Sequence, residues 1–458
     1  MPSPFRPAAR RSGPRPRIAT GALLVVFAAV GALGGAAEWI VDDDAPADFS
    51  RIQNAINAAY VLPGDTIRVR PGVYVETIYL GSKDLCLVSE GGPFVTIIDA
   101  QQMGSVVSLV NRSPATLVEG FTLRNGQDQT GGGVFIYGGG PVLRRNVIVG
   151  NSAVGGSLGY GYGGGIEIVE SAPVIRQNVV YGNTALDGGG GIDVYYSGPS
   201  TPGTCCPLIA GNTIADNRVT SPAGIGGGML VSAAEPRITS CIVLNNDAAA
   251  GGGLYVEKLQ GIPDAPDATT NILFANLTDD VASNGGFHLP ASNTFVDPRL
   301  GSGTWAGWWP RSDSPAIDAA AADPPPAADL TGLPGPADGD LDGDAAGDIG
   351  AVENRGEITG LVVYIDPGRP TDALLTWDSS INPSMTYTLR ASDGDPFRTG
   401  PGFCLAAGLA TPAFTDPAAP PLGVVRYYLV TGTHTFEGTL GLRSDGSPRP
   451  AGGGCGGP

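Results

Sequence analysis

The sequence predicts an all-β chain built mainly as a parallel β-helix, and three observations carry that expectation. First, a glycine run opens into a short alternating apolar stretch repeatedly between Gly131 and Val256. The copies read GGGVFIYGGGPVLRRNVIVGN, GGGIEIVESAPVIRQNVVYGN, GGGIDVYY…CPLIAGNTIADN and GGGMLVSAAEPRITSCIVLNN, followed by the opening GGGLYVE. Self-similarity of this kind marks a solenoid, whose units bury their apolar faces only against their neighbours. Second, the residues after the glycines are Val134, Ile166, Ile192, Met229 and Leu254, so the spacings are 32, 26, 37 and 25. The shortest corresponds to one coil, and the longer ones carry insertions. Third, each unit holds three strand-sized runs of Val, Ile and Leu between Gly, Pro and Asn, without helical periodicity. A helix-pair repeat is thereby excluded.

The glycines recur at one corner because a sharp turn there needs positive φ, which glycine adopts without strain. The asparagines fall into two columns. Asn146, Asn178 and Asn212 form one, with Ser240 where the next Asn is expected, and Asn151, Asn183, Asn217 and Asn245 form the other. Coils stacked ~4.8 Å apart would let these amides hydrogen-bond along the column. Ahead of the repeats, WIVDDDAPADFSRIQNAINAA places Phe49, Ile52, Ile56 and Ala59 on one face of a helix.

With these motifs the chain resembles the secreted right-handed parallel β-helix proteins of the pectate-lyase-like superfold, in the NosD-like group, from about Trp39 to Glu353. The resemblance implies that the helix caps the first coil, and that PGDTIRVRPGVYVETIYL and VTIIDA form early coils. Named enzyme families on the fold fit less well. Pectin methylesterases share GVYVE-like openings, here Gly72 to Glu76, but their paired Gln, Asp-Phe and Arg-Pro-Trp motifs are missing. The NTD, DD, GHG and RIK elements of polygalacturonases are missing too. For a pectate lyase, Glu167, Asp193 and Lys258 are the nearest imitation, without an arginine motif.

The expected organisation is a signal peptide over residues 1–37, a β-helix over 38–354, a small β-sandwich over 355–446 and a flexible tail over 447–458. Arg6, Arg10, Arg11, Arg15 and Arg17 precede the apolar run IATGALLVVFAAVGALGGAA, with small residues near Ala37 for cleavage. Export to the extracellular space or cell surface follows, with no membrane span after cleavage. The runs LVVYI, ALLTW, TYTLR and RYYLV have the strand spacing of a sandwich. Trp377, Tyr427 and Tyr428 give that part a resemblance to fibronectin type III modules.

Net charge is −18, and lysine occurs only at Lys83 and Lys258, so nucleic acid and anionic membranes are poor partners. Six cysteines in an exported chain suggest disulfides. Cys404 with Cys455, and Cys205 or Cys206 with Cys241, are the candidate pairs, and Cys86 is expected to be a buried free thiol. The stretch DGDLDGDAAGDIGAVE sets Asp338, Asp340, Asp342 and Asp344 at alternate positions, as in a calcium loop, with Asp348 and Glu353 following. Calcium is the expected ion, against the alternative of a solvated acidic linker.

Alternation after each glycine run sends Val134, Ile166, Ile192, Met229 and Leu254 inward. Phe135, Glu167, Asp193, Leu230 and Tyr255 then face outward, as do Tyr137, Val169, Tyr195, Ser232 and Glu257, with Glu170, Tyr196 and Lys258 beyond. Glu167 and Asp193 on adjacent coils are candidate catalytic carboxyls of a glycoside hydrolase or polysaccharide lyase. Phe135, Tyr137, Glu170, Tyr195, Tyr255, Glu257 and Lys258 are candidate substrate contacts. Because no known catalytic set is complete, the expected function is binding of a polysaccharide or cell-surface glycan without catalysis. Enzymatic action and a rigid spacer or adhesin role are the alternatives.

Overall fold

The glycine-led repeats form coils stacked in register. The computed structural model describes residues 36–354 apart from 45, 157–158, 197–205, 260–265, 302–307, 312, 322–327, 333–334, 338 and 340–345, and beyond them six strand segments between 362 and 433. One coil runs Val134–Gly139, Val142–Arg144, Val147–Val149, Ser152–Ala153, and each strand pairs in parallel with its counterpart in the next coil. The result is a nine-stranded first sheet (Glu38–Val41 to Asp267–Thr269), an eight-stranded second sheet (Gly72–Val75 to Ile272–Phe274) and an eight-stranded third sheet (Ile78–Tyr79 to Val281–Ser283). The two-residue strands after the second asparagine column add a fourth sheet of four strands, which the pattern of three runs per coil does not anticipate.

Inward positions behave as the alternation requires. Val134, Ile166, Ile192, Met229 and Leu254 are buried in one continuous core with Ile136, Ile168, Val194, Val231 and Val256. The glycine corner is fixed by the closeness of successive backbones. A Cβ on Gly165, Gly191 or Gly228 would lie 2.6 Å from the carbonyl oxygen of the matching glycine one coil on.

The asparagine columns are continuous hydrogen-bonded ladders. Asn183 Nδ2 donates to Ile148 O at 2.9 Å and to Asn217 Oδ1 at 3.0 Å, while its own Oδ1 accepts from Asn151 N at 3.0 Å. Every polar group on such a buried amide is therefore used, which removes the cost of burying it. Two register assignments need correction. The second column continues through Asn246 and Asn276, while Asn245 sits in the adjoining left-handed turn at φ 55. In the first column the position after Asn212 is taken by Cys241, not Ser240, and the ladder resumes at Asn271 and Asn293. The twin residues Asn245 and Asn246, and the Ser240–Cys241 neighbours, leave the register ambiguous in sequence by one residue, which a two-residue period converts into opposite faces.

The capping helix is shorter than expected, Ile52–Asn57, and buries Ile52, Ala55 and Ile56. Ala59 lies beyond its end and is exposed, while Phe49 packs partly against the core. Its first turn is capped from the coils: the buried Glu76 carboxylate accepts from Ile52 N at 2.9 Å and Gln53 N at 3.0 Å.

After the last coil the chain folds back over the outside of the second sheet. Leu330, Ala351 and Val352 bury Val147 and Val179, and Ala316 and Ile349 bury Ile242 and Ile272. Gly350 N donates to Ser240 O at 2.9 Å and Ala351 N to Thr213 Oγ1 at 3.1 Å, so main-chain bonds fix this strap. The second-sheet strands VIV, VVY, IVL and ILF are apolar at successive residues, which is the mark of a strand covered on both faces. The sequence carries that signal, although alternation alone does not reveal it.

The six later strands pair antiparallel in two sets of three, Val362–Ile365, Ala373–Thr376, Ala413–Asp416 and Thr386–Asp393, Phe403–Leu409, Arg426–Thr433. Trp377 lies outside the described residues. Among the described residues no helix is long and apolar enough to cross a membrane.

Candidate functional site

The outward face of the third sheet gathers the side chains singled out in the sequence. Phe135, Glu167, Asp193, Leu230 and Tyr255 are in register on successive rungs, and Tyr137, Val169, Tyr195, Ser232 and Glu257 form the next column. Tyr137, Tyr195 and Tyr196 are 37%, 40% and 37% exposed, so their rings stand open to solvent. Tyr137 donates its hydroxyl to Glu170 Oε2 at 3.1 Å, and Ser232 donates to Glu257 Oε2 at 2.8 Å. The Tyr195 and Tyr196 rings meet edge to face with centroids 4.9 Å apart. Lys258 is exposed at the end of this face, its stem running beside Gly285.

Glu167 and Asp193 face outward as expected, yet they are only 4% and 2% exposed. Tyr162 accounts for part of this cover. The insertion in the 32-residue repeat returns to the coil at Tyr162, which bridges in parallel to Gly188. A Cβ on Gly188 would meet Leu230 Cδ2 at 2.5 Å and Tyr162 Cδ1 at 3.0 Å, which locates both side chains at this corner. Gly163 leaves room for the acid itself, since a Cβ there would stand 2.5 Å from Glu167 Oε2.

With both groups ionised, Glu167 Oε2 and Asp193 Oδ1 have no hydrogen-bond donor. One proton shared between the two side chains resolves this, and they hydrogen-bond to each other on that basis. Burial, followed by the Asp193 charge, raises Glu167 well above the carboxylate range. Burial likewise pushes Asp193 up to about 8, the Glu167 hydrogen bond opposing and the Glu257 charge adding to the rise. Tyr162 rises to about 12, through burial and then the charges of Asp187, Asp193 and Glu257. The proton belongs to the pair, as it does in other close carboxyl dyads. Carboxyls in direct contact leave no space for a sugar ring between them, unlike the separated pair of a retaining glycosidase. The expectation of two open carboxylates is corrected accordingly: alternation gives their direction, while the insertion and Leu230 decide their burial.

The acidic segment after the coils divides. Asp338, Asp340, Asp342 and Asp344 lie outside the described residues. Asp348 and Glu353 are buried, and three of their oxygens accept main-chain N–H groups: Asp348 Oδ1 from Asp318, Asp348 Oδ2 from Asn354 and Glu353 Oε2 from Asp348. Burial, then the Glu353 charge, raises Asp348 well above its usual range. These two side chains therefore organise the strap, a role that spacing alone does not reveal.

The cysteine expectations change as well. Cys241 is a buried free thiol in the asparagine ladder, and Cys206 is disulfide-bonded, so the suggested bridge to Cys241 is absent. Cys86 is free and half-buried. Cys455 lies outside the described residues, as does the Cys404 side chain, though its backbone is on Phe403–Leu409.

Residues 95–293 match the family model described as right handed beta helix region. The coils are thus right-handed β-helix repeats, in a solenoid of about eight turns. Among solved structures, a deglycosylated pectin methylesterase from Aspergillus niger aligns at 12% identity and TM-score 0.27, covering 58% of this chain and 85% of that one. A pectin methylesterase mutant in complex with a hexasaccharide aligns at 12% identity and TM-score 0.25, covering 57% of this chain and 93% of that one. At this identity and TM-score neither likeness carries an inference about activity. No curated protein matches the chain significantly.

Proposed function

We propose that this is a secreted or cell-surface protein that binds a neutral polysaccharide along the outward face of the third sheet, without cleaving it. The observation that supports this reading is the line of open rings Tyr137, Tyr195 and Tyr196 beside the acceptors Glu170 and Glu257. Tyr137 and Tyr195 are two rungs apart, roughly 10 Å at the strand spacing of a sheet, which suits successive sugar rings of an extended chain. Rings offer stacking surfaces, and carboxylates accept hydroxyl hydrogens. The net charge of −18 disfavours an acidic polymer. Binding without catalysis is favoured over hydrolysis because the only paired carboxyls on this face are covered and bonded to each other, among the described residues. Export is read from the arginine-led apolar segment ahead of the first coil, and the fibronectin-like reading of residues 355–446 belongs to the same proposal as a spacer.

Calcium is part of the proposal at the acidic segment. Asp348 and Glu353 set like charges together out of water, and a divalent cation using their remaining lone pairs, with aspartates that precede them in the sequence, would offset the repulsion. Calcium would then raise the thermal midpoint, and a chelator would lower it; an unchanged midpoint removes the ion from the account.

Affinity electrophoresis through gels loaded with neutral or acidic polysaccharides tests the binding face. Retardation in a neutral polymer, reduced about tenfold in affinity by Tyr137→Ala with Tyr195→Ala, is expected. Retardation unaffected by the double substitution would move the site elsewhere, and release of reducing ends would make the protein an enzyme.

A further inference from the structure

A cavity lies on a different face, between the second sheet and the returning strap. It encloses about 620 Å³, with Tyr181, Phe274 and Trp308 among its walls and Asp216, Asn245 and Asp297 around it. The register sets its sheet-side wall. Tyr181, Ala215, Leu244 and Phe274 occupy successive rungs of one outward column. Ala215 is the small, buried residue of this column, between Tyr181 and Leu244, and Tyr181, Leu244 and Phe274 form the sheet-side wall of the cavity.

The strap completes the wall. Trp308 meets Tyr181 with ring centroids 4.9 Å apart and planes inclined at 51°, which forms a corner of two π-faces instead of one flat shelf. Asp216 accepts a hydrogen bond from the Asn245 side chain, and Asp297 Oδ1 accepts from Arg299 N at 2.8 Å. Both carboxylates remain at the exposed margin of the cup. No Lys, Arg or His is among the described residues that line it. Aromatic walls with negative charge at the rim, and no basic group to neutralise it, are complementary to a cation that carries apolar surface. A hydrated metal ion would gain nothing from the rings, and a sugar would need a platform that the inclined pair does not offer.

We propose that this cup binds a free organic ammonium of choline class. The Tyr181 and Trp308 faces receive its N-methyl groups, and Asp216 and Asp297 supply the opposing charge. The site is separate from the polysaccharide face and does not depend on that reading.

The test is calorimetric titration of the full chain with choline and with its uncharged carbon isostere, dimethylbutanol. Choline should bind and the alcohol should not. Asp216→Asn and Trp308→Ala should each weaken choline about tenfold. Asp216 is exposed and serves as the variant that leaves packing alone, since Trp308 also braces the strap. Equal binding of the alcohol, no choline binding in the millimolar range, or choline binding indifferent to both substitutions would overturn the assignment.

Discussion

Replacing Glu167 by glutamine should reduce, without abolishing, the pH dependence of stability between about pH 5 and pH 7, because Asp193 stays buried and raised. In the native chain Glu167 and Asp193 titrate above their ordinary values of 4.5 and 3.8, because both are buried together. Above pH ~5 the unfolded chain has released both protons, whereas the folded chain still holds at least the shared one. The folded state binds more protons, so stability is fully present below the unfolded values and falls as pH rises toward about 8, where Asp193 titrates. Each retained proton corresponds to about 1.4 kcal/mol per pH unit, or roughly 3 kcal/mol between pH 5 and pH 7. Glu257, Tyr162 and Tyr195 are close enough to interact with the pair, but they are common to both proteins and cancel in the comparison. The substituted amide would keep a donor toward Asp193 and hold no titrating proton of its own, so only the slope left by Asp193 remains. The assay is urea unfolding of wild type and E167Q across this range, with infrared difference spectra to detect the protonated carboxyl directly. Parallel pH profiles for the two proteins, or no protonated carboxyl in the wild type at pH 7, would refute the shared-proton account.

Other consequences concern the ladders and the glycine corner. Asn183→Ala would leave Ile148 O and Asn151 N short of partners inside the wall, while Asn217 Oδ1 keeps its bond from Asn183 N, and should lower stability by at least ~2 kcal/mol in denaturant titrations. Cys241→Asn should complete the first ladder between Asn212 and Asn271, raising stability by about 1 kcal/mol; a lower unfolding midpoint would mean the thiol fills a space the amide cannot. Gly191→Ala would place its methyl 2.6 Å from Gly228 O and 2.9 Å from Asn217 Nδ2, at an expected cost of ~1–3 kcal/mol, read as a lower thermal midpoint.

The coil architecture was legible in the sequence because its causes are local and repeated. Glycines stand where backbones of successive coils nearly touch, alternating apolar residues point Val134 to Leu254 inward, and amides recur where the wall must hold polar groups. Register to the single residue was not legible at Asn245–Asn246 and Ser240–Cys241, since adjacent residues of similar character compete for one column and only stacking selects between them. The direction of Glu167 and Asp193 also followed from alternation. Their burial did not, because it depends on an insertion whose path returns at Tyr162 and on Leu230 one rung away. The strap was the largest omission, although the continuous apolar runs of the second sheet announced that something must cover them. Sequence by itself thus determined the repeat, its inward faces and the candidate columns, all set by the periodicity of the strand. Tertiary structure decided which of those columns stay open to solvent and where a hollow forms between strap and sheet, because both depend on contacts between segments far apart in the chain.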